Sequence, residues 1–188
     1  CYSKSLTSFK EFFMEFKSLI RTVPNYPKEG VMFRDITTLL KDEKGFRAII
    51  DKLAARYEGW NIDKVVGIES RGFIIGSVLS YVLGKGFIPL RKAGKLPGET
   101  YSAQYELEYG FDKLEIHKDA LKKGEKVLLV DDLLATGGTA LGAISLVERL
   151  DAEVSEFCTV VNLPDLKGER RIKENGYNFY SLCEFSGH

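Results

Sequence analysis

The chain has 188 residues, 44% of them hydrophobic and 29% charged, with 27 Lys plus Arg against 27 Asp plus Glu and so no net charge. That length fits one compact domain, and the composition excludes disordered and fibrous classes. The charge balance removes the broad electrostatic footprint of a nucleic-acid or anionic-membrane binder, so any anion site has to be local.

The start, Cys1-Tyr2-Ser3-Lys4-Ser5, has neither an apolar signal region nor a Met; a trimmed start and no export are expected. Ser8 followed by Glu11 reads as a capping box, and Phe9, Phe12, Phe13, Phe16 and Ile20 share one helical face, predicting an amphipathic helix over 8–21 that packs on its own chain or on a second subunit. Pro24 and Pro27 then forbid helix, and 24–30 reads as a turn. Phe46, Ile49, Ile50, Leu53 and Tyr57 mark a helix, Lys64 to Ile68 a buried strand, and Gly72 to Leu83 a nearly apolar helix. Gly86 to Leu90 is a short strand in which Pro89 predicts an edge position or an early end. Gly94 to Gly98 reads as a mobile loop, and Tyr105–Tyr109 with Asp112–His117 as a two-stranded flap.

Lys126 to Val130 is the strongest strand, followed by a glycine-containing turn and a helix to about Leu150; a strand over Val154–Val161, a Lys/Arg-rich helix and a strand over Asn178–Phe185 complete the pattern. No repeat or linker divides the chain. Every apolar run is interrupted by Lys, Arg, Asp or Glu and falls short of the roughly 18 residues of a bilayer span, so a soluble protein without membrane partners is expected. Cys1, Cys158 and Cys183 lack C-x-x-C spacing, and His117 and His188 pair with no neighbouring ligand. Neither a disulfide framework nor a protein-built metal site is expected, Cys158 reads as a small buried hydrophobe, and the expected compartment is a reducing cytoplasm. Alternating strand and helix predict an α/β fold: a central, mostly parallel twisted sheet flanked by helices, with ligands beyond the carboxyl ends of its strands. The turns after Ile68, Leu90 and Val130 are therefore the places to look.

The turn after Val130 carries the chemistry. Asp131-Asp132-Leu133-Leu134-Ala135-Thr136-Gly137-Gly138-Thr139 runs from a buried strand through two carboxylates into small and hydroxylated residues that open a helix. Backbone N–H groups at such a helix start form a phosphate pocket, placed at Ala135, Thr136, Gly137, Gly138 and Thr139. Asp131 and Asp132 would repel that phosphate, so they have to face hydroxyls or a metal; a phosphate beside a vicinal diol describes a ribose 5-phosphate. Other phosphate motifs fail: Gly67 to Ile74 has P-loop glycine spacing with Phe73-Ile74 where Lys-Ser/Thr is required, and Gly84-Lys85-Gly86 lacks the third glycine of a dinucleotide turn.

Val130 to Thr139 resembles the 5-phosphoribosyl-1-pyrophosphate (PRPP) motif of the type I phosphoribosyltransferases, and the resemblance is strongest to the adenine-using branch of that family. Asn25 to Ile36, Gly67 to Phe73, Arg91 to Gly98 and Leu107-Glu108-Tyr109-Gly110 match in the family's order, and Leu166-Lys167-Gly168 extends the match. The resemblance implies a single domain, with an N-terminal hood over about 1–36 and a flexible loop and flap over about 92–117. It implies transfer of phosphoribose from PRPP to N9 of adenine, giving AMP. The pyrophosphate leaving group would be met by Ser70, Arg71, Gly72, Arg91, Lys92 and Lys95, with Arg71 catalytic and a cis-type Glu69–Ser70 peptide aiming N–H groups at it. Glu108 would accept the adenine proton; Glu106, two residues earlier on the same strand face, competes for that role. Phe33 would stack on the purine while the backbone around Met32 and Arg34 reads its edge. Mg²⁺ would be bound mainly through PRPP and pyrophosphate, and a homodimer is implied. The alternatives are the same chemistry on another base and a PRPP-sensing protein without catalysis; the intact Glu108 and Arg71 segments count against the sensor.

Overall fold

The structure is a computed structural model and describes residues 17–107 and 110–187. The architecture is α/β, and the described residues fall into two compact units, 17–56 with Gly187 and 57–186.

In the first unit, β1 (Arg21–Pro24) pairs antiparallel with β2 (Met32–Asp35), Arg21 standing opposite Asp35 and Pro24 opposite Met32. The proline-rich turn between them contains a cis Tyr26–Pro27 peptide and is tied by the Gly30 N–H donating to the Asn25 side chain at 2.9 Å. Neither four-residue strand alternates in the sequence, and the ribbon was not anticipated. It also moves the end of the predicted 8–21 helix. Residues 8–16 of that helix lie outside the described ones, Lys17 and Ser18 are helical, and Arg21 already begins β1. The physical reason is Arg21, whose side chain pairs with Asp35 across the ribbon while its backbone N–H donates to Thr38 Oγ1 at 3.0 Å. The helices α1 (Thr37–Leu40) and α2 (Glu43–Tyr57) follow, and α2 buries Ile49, Ile50, Leu53 and Tyr57 on the predicted face.

The second unit is built on an eight-stranded sheet in the order β10-β9-β7-β3-β4-β6-β5, with β8 (Leu133–Leu134) paired to β9. The strands β3 (Lys64–Ile68), β4 (Gly86–Lys92), β7 (Lys126–Val130), β9 (Glu153–Asn162) and β10 (Phe179–Glu184) are parallel, as the alternation requires. The hairpin β5 (Thr100–Leu107) and β6 (Gly110–His117) is antiparallel and joins the sheet through Arg91 opposite Glu115 and Lys92 opposite Leu114. Strand β4 therefore runs two residues past its predicted end. Pro89 does not stop it, because over 86–90 only the β3 side is paired and a missing N–H costs nothing on the open side.

Side-chain alternation sorts the layers. Val66, Ile68, Ile88, Leu90, Val127, Leu129 and Phe157 join one core cluster with Ala140, Ala143, Ile144 and Val147 of α4 (Gly138–Glu148). The alternate residues of the same strands face α3 (Arg71–Leu83), whose Gly76 allows Phe87 and Val130 to approach within 4 Å of where its Cβ would be. Removing one Leu or Val side chain of this core from water is worth about 1.5–3 kcal/mol, so the layers fix where the β3, β4 and β7 ends lie. A short 3₁₀ turn (Pro164–Leu166) leads into α5 (Gly168–Glu174), the Lys/Arg-rich helix. Cys158 is buried, as expected of a small hydrophobe. No helix among the described residues is long and apolar enough to cross a membrane.

Candidate active site

The carboxyl ends of β3, β4 and β7 open into a cleft of about 510 Å³ lined by the turn after β3 (Glu69, Ser70, Arg71), the turn after β7 (Asp131 to Thr139), Lys92, Tyr105, Asp112 and Leu166. It lies where a parallel sheet is expected to bind ligands.

Its floor is backbone. Gly137, at φ 85°, is the N-cap of α4, and no side chain hydrogen-bonds there, so the first N–H groups of an 11-residue helix face the cleft without a cap. The turn fits against its neighbours too closely for larger residues. A Cβ on Gly138 would lie 2.2 Å from the Glu106 carbonyl oxygen, and one on Gly168 would lie 2.2 Å from that of Ala135. The Leu166-Lys167-Gly168 segment is thus the outer wall of the cradle.

The two aspartates differ in environment. Asp132 is 5% exposed, its carbonyl accepts the N–H groups of Val160 and Val161 at 3.1 and 3.0 Å, and its carboxylate pairs with Arg71 Nε. Asp131 accepts the Asp132 N–H at 2.8 Å. Burial, and then the neighbouring Asp132 charge, raise its carboxyl well above the usual carboxylate range, opposed by Arg71. Gly72 is required beside them, since a Cβ there would lie 2.8 Å from the Val130 carbonyl oxygen.

The Glu69–Ser70 peptide is cis, as the sequence led us to expect. Glu69 fastens the β3 and β4 ends together. Arg91 Nε and Nη2 each donate to it at 3.1 Å, the Lys92 N–H donates at 2.9 Å, and its own N–H donates to the Leu90 carbonyl at 2.9 Å. The Arg91 guanidinium holds the Glu69 carboxyl below its usual range, against a burial that would raise it.

The structure thus brings Ser70, Arg71, Lys92, Asp131, Asp132 and Ala135 to Thr139 to one cleft. Gly72, Arg91, Lys95 and Glu106 stand outside its lining: Gly72 spaces α3 from Asp131, Arg91 serves Glu69, Lys95 lends its carbonyl to Arg91 Nη1 at 3.4 Å, and the Glu106 side chain is exposed. Glu108 and Tyr109 lie outside the described residues. Met32, Phe33 and Arg34 belong to the β1–β2 ribbon, where Phe33 packs edge-on against Tyr26 at 5.2 Å and Arg34 donates to Thr22 Oγ1 at 2.6 Å and to the Gly187 carbonyl at 3.2 Å. The Arg34 side chain is engaged within its own unit, which leaves the base-reading role assigned to this segment to its backbone and to Phe33. No group of three or more His, Cys, Asp or Glu converges to hold a metal among the described residues.

Tyr105 and Asp112 are cleft residues that motif reading missed. Their signal is hairpin register, since pairing Leu107 with Gly110 places Tyr105 directly opposite Asp112.

The comparisons with known proteins agree with this geometry. The phosphoribosyl transferase domain model matches residues 35–183. The adenine phosphoribosyltransferase of Chlorobium limicola is 61% identical over 93% of this chain and 99% of its own length. Among solved structures, the adenine phosphoribosyltransferase of Thermoanaerobacter pseudethanolicus is 48% identical and superposes with a TM-score of 0.88 over 92% of this chain and 99% of that one. The Saccharomyces cerevisiae enzyme, solved with an imino-altritol bisphosphate and adenine, is 40% identical with a TM-score of 0.86 over 93% and 99%. A helix-start cradle below two aspartates, a cis turn beside it and near-complete coverage by these relatives place the chain in the phosphoribosyl transferase family, among its adenine phosphoribosyltransferases.

Proposed function

We propose that the cleft transfers the 5-phosphoribosyl group of PRPP to N9 of adenine, giving AMP and pyrophosphate, and that its lining divides the donor between two ends. Ala135 to Thr139 hold the 5-phosphate on backbone N–H groups, and Asp131 and Asp132 accept hydrogen bonds from the ribose hydroxyls. Ser70, Arg71 and Lys92 receive the leaving pyrophosphate, with Gly72, Arg91 and Lys95 supporting that end. The single observation that carries this reading is the uncapped α4 start directly below an Asp pair whose second member is ion-paired to Arg71.

Ribosyl transfer builds positive charge at C1, which a water-excluding flap protects. Glu108 takes the N9 proton, with Glu106 as the competing acceptor, and Met32, Phe33 and Arg34 receive adenine, Phe33 by stacking. The residues fit a Mg²⁺ that draws its oxygens mainly from PRPP and pyrophosphate, because Asp131 and Asp132 alone do not make a cage. Such an ion neutralises charge on the leaving group. We also assign the enzyme to the cytoplasm and to a homodimer; the exposed Ile74, Tyr81 and Val82 of α3 support a partner surface, and sedimentation tests it.

The deciding experiment incubates the protein with PRPP, Mg²⁺ and one base at a time while nucleotide and pyrophosphate are followed. Adenine turns over far faster than hypoxanthine, guanine, xanthine or orotate. Faster turnover of another base would reassign the substrate, and turnover of none would make the protein a PRPP sensor.

A further inference from the structure

Lys92 is the cleft's lysine, and its side chain is held by a row of residues that crosses three strands. Tyr105 of β5 stands directly opposite Asp112 of β6, and Lys92 of β4 stands opposite Leu114, which makes Asp112 its diagonal neighbour on the same face. Lys92 Nζ lies 3.1 Å from Asp112 Oδ2, and the other carboxylate oxygen accepts the Lys113 N–H at 2.8 Å. Tyr105 is 7% exposed and packs on Gly142 of α4, where a Cβ would come within 3.1 Å of the Tyr105 Cβ and 3.4 Å of its ring. Its phenol interacts with Asp112 and with Thr139. Thr139 ends the phosphate cradle, so the row runs from cradle to lysine through Tyr105 and Asp112, and all four residues line the cleft.

We propose that Asp112 and Tyr105 are positioning residues: they hold the Lys92 ammonium at the pyrophosphate end of the cleft and tie it to the cradle through Thr139. This rests on the functional reading above.

Each member has a physical role. A lysine carries large rotamer entropy, and a partner that restrains it before the ligand arrives removes that cost from binding. A carboxylate so close to pyrophosphate would also repel it. The Lys113 N–H and the Tyr105 hydroxyl disperse the Asp112 charge, which is what lets restraint outweigh repulsion. Burial, with Asp112 next, pushes the Tyr105 phenol up to about 12, so it stays a neutral donor throughout the working range. Burial alone would raise Asp112, but the Lys113 N–H, Lys92 and Tyr105 together hold it below its usual range and keep it charged.

The test is a double-variant cycle on Asp112→Asn, Lys92→Met and their combination, with Tyr105→Phe and Asp112→Glu beside them. Asp112→Asn is expected to raise KM for PRPP about fivefold and Tyr105→Phe about twofold, while KM for adenine and Tm stay within error and Asp112→Glu recovers part of the loss. In the Lys92→Met background, Asp112→Asn should change nothing further. An unchanged or lowered KM for PRPP in Asp112→Asn, or an equal effect without Lys92, would overturn the proposal. Calorimetric titration with inorganic pyrophosphate reads the same coupling without turnover, so the row is judged separately even if adenine proves not to be the substrate.

Discussion

The turn after β7 and the β5–β6 hairpin face each other across one cleft and are built by opposite means. In the turn, position is set by main chain: the Asp132 carbonyl is gripped by two β9 N–H groups, and Gly138 and Gly168 leave no room for a side chain. In the hairpin, position is set by side chains, Tyr105 on Gly142 and Asp112 on Lys92. A backbone-built site is stiff and intolerant of a single added carbon. A side-chain-built one can be loosened in steps.

The largest expected effect falls on Glu108, whose proposed part is chemistry rather than shape. Glu108→Gln should lower kcat by about 10²- to 10⁴-fold, the range for loss of a positioned proton acceptor, with PRPP affinity little changed. Steady-state rates with a PRPP titration check this. Unaltered turnover would pass the role to Glu106, and Glu106→Gln would then carry the loss.

Next comes the wall of the cradle. Gly168→Ala has to move either the Ala135 carbonyl or the α5 start, because 2.2 Å is far inside carbon–oxygen contact distance. Displacing the phosphate-binding amides by a fraction of an ångström to 1 Å should cost up to about 10²-fold in kcat/KM, with the sheet intact by circular dichroism. Gly124→Ala is the control: its φ is positive, at 80°, unlike that of Gly168, and no atom lies within 4 Å of its Cβ, so it brings backbone strain without crowding. An equal loss in it would show that crowding of the cradle is not what the Gly168 variant reads.

The same contrast explains what the sequence disclosed. The cradle was legible because its ingredients are contiguous: a buried strand, two acids, then small residues at a helix start, so Asp131 to Thr139 could be read as one local device. The parallel order was legible because the 64–68, 126–130 and 154–161 strands are largely buried, mostly apolar runs. The row of Lys92, Asp112 and Tyr105 was not, because three residues from three strands meet only once the β4–β6–β5 register is set, and the pairing of Arg91 with Glu69 was hidden because the two lie 22 positions apart. The β1–β2 ribbon was missed for the same reason, since Arg21 finds Asp35 only through pairing.

The smallest effect is one of stability, and it separates the cost of the acid pair from its use. Asp131 is half-buried and desolvated beside a second carboxylate, and its folded-state pKa stands above the ordinary 3.8. A carboxyl raised by folding contributes its stability in acid, below the unfolded value, and loses it as pH rises through the folded one. Above the unfolded value the wild type therefore bears a penalty that Asp131→Asn removes. The variant should melt a few degrees higher at pH 8, on the order of 1 kcal/mol, and the difference should shrink toward zero as pH falls below the unfolded value of 3.8, where wild-type Asp131 becomes protonated in both states. PRPP affinity should fall in the same variant, since an amide offers a single acceptor oxygen to the ribose hydroxyls where the carboxylate offers two. A melting difference that does not vary with pH would mean that the amide repacks the turn and that charge is not what makes Asp131 costly. Unchanged PRPP affinity would instead take Asp131 out of the ribose site and leave Asp132, already oriented by Arg71, to hold the sugar alone.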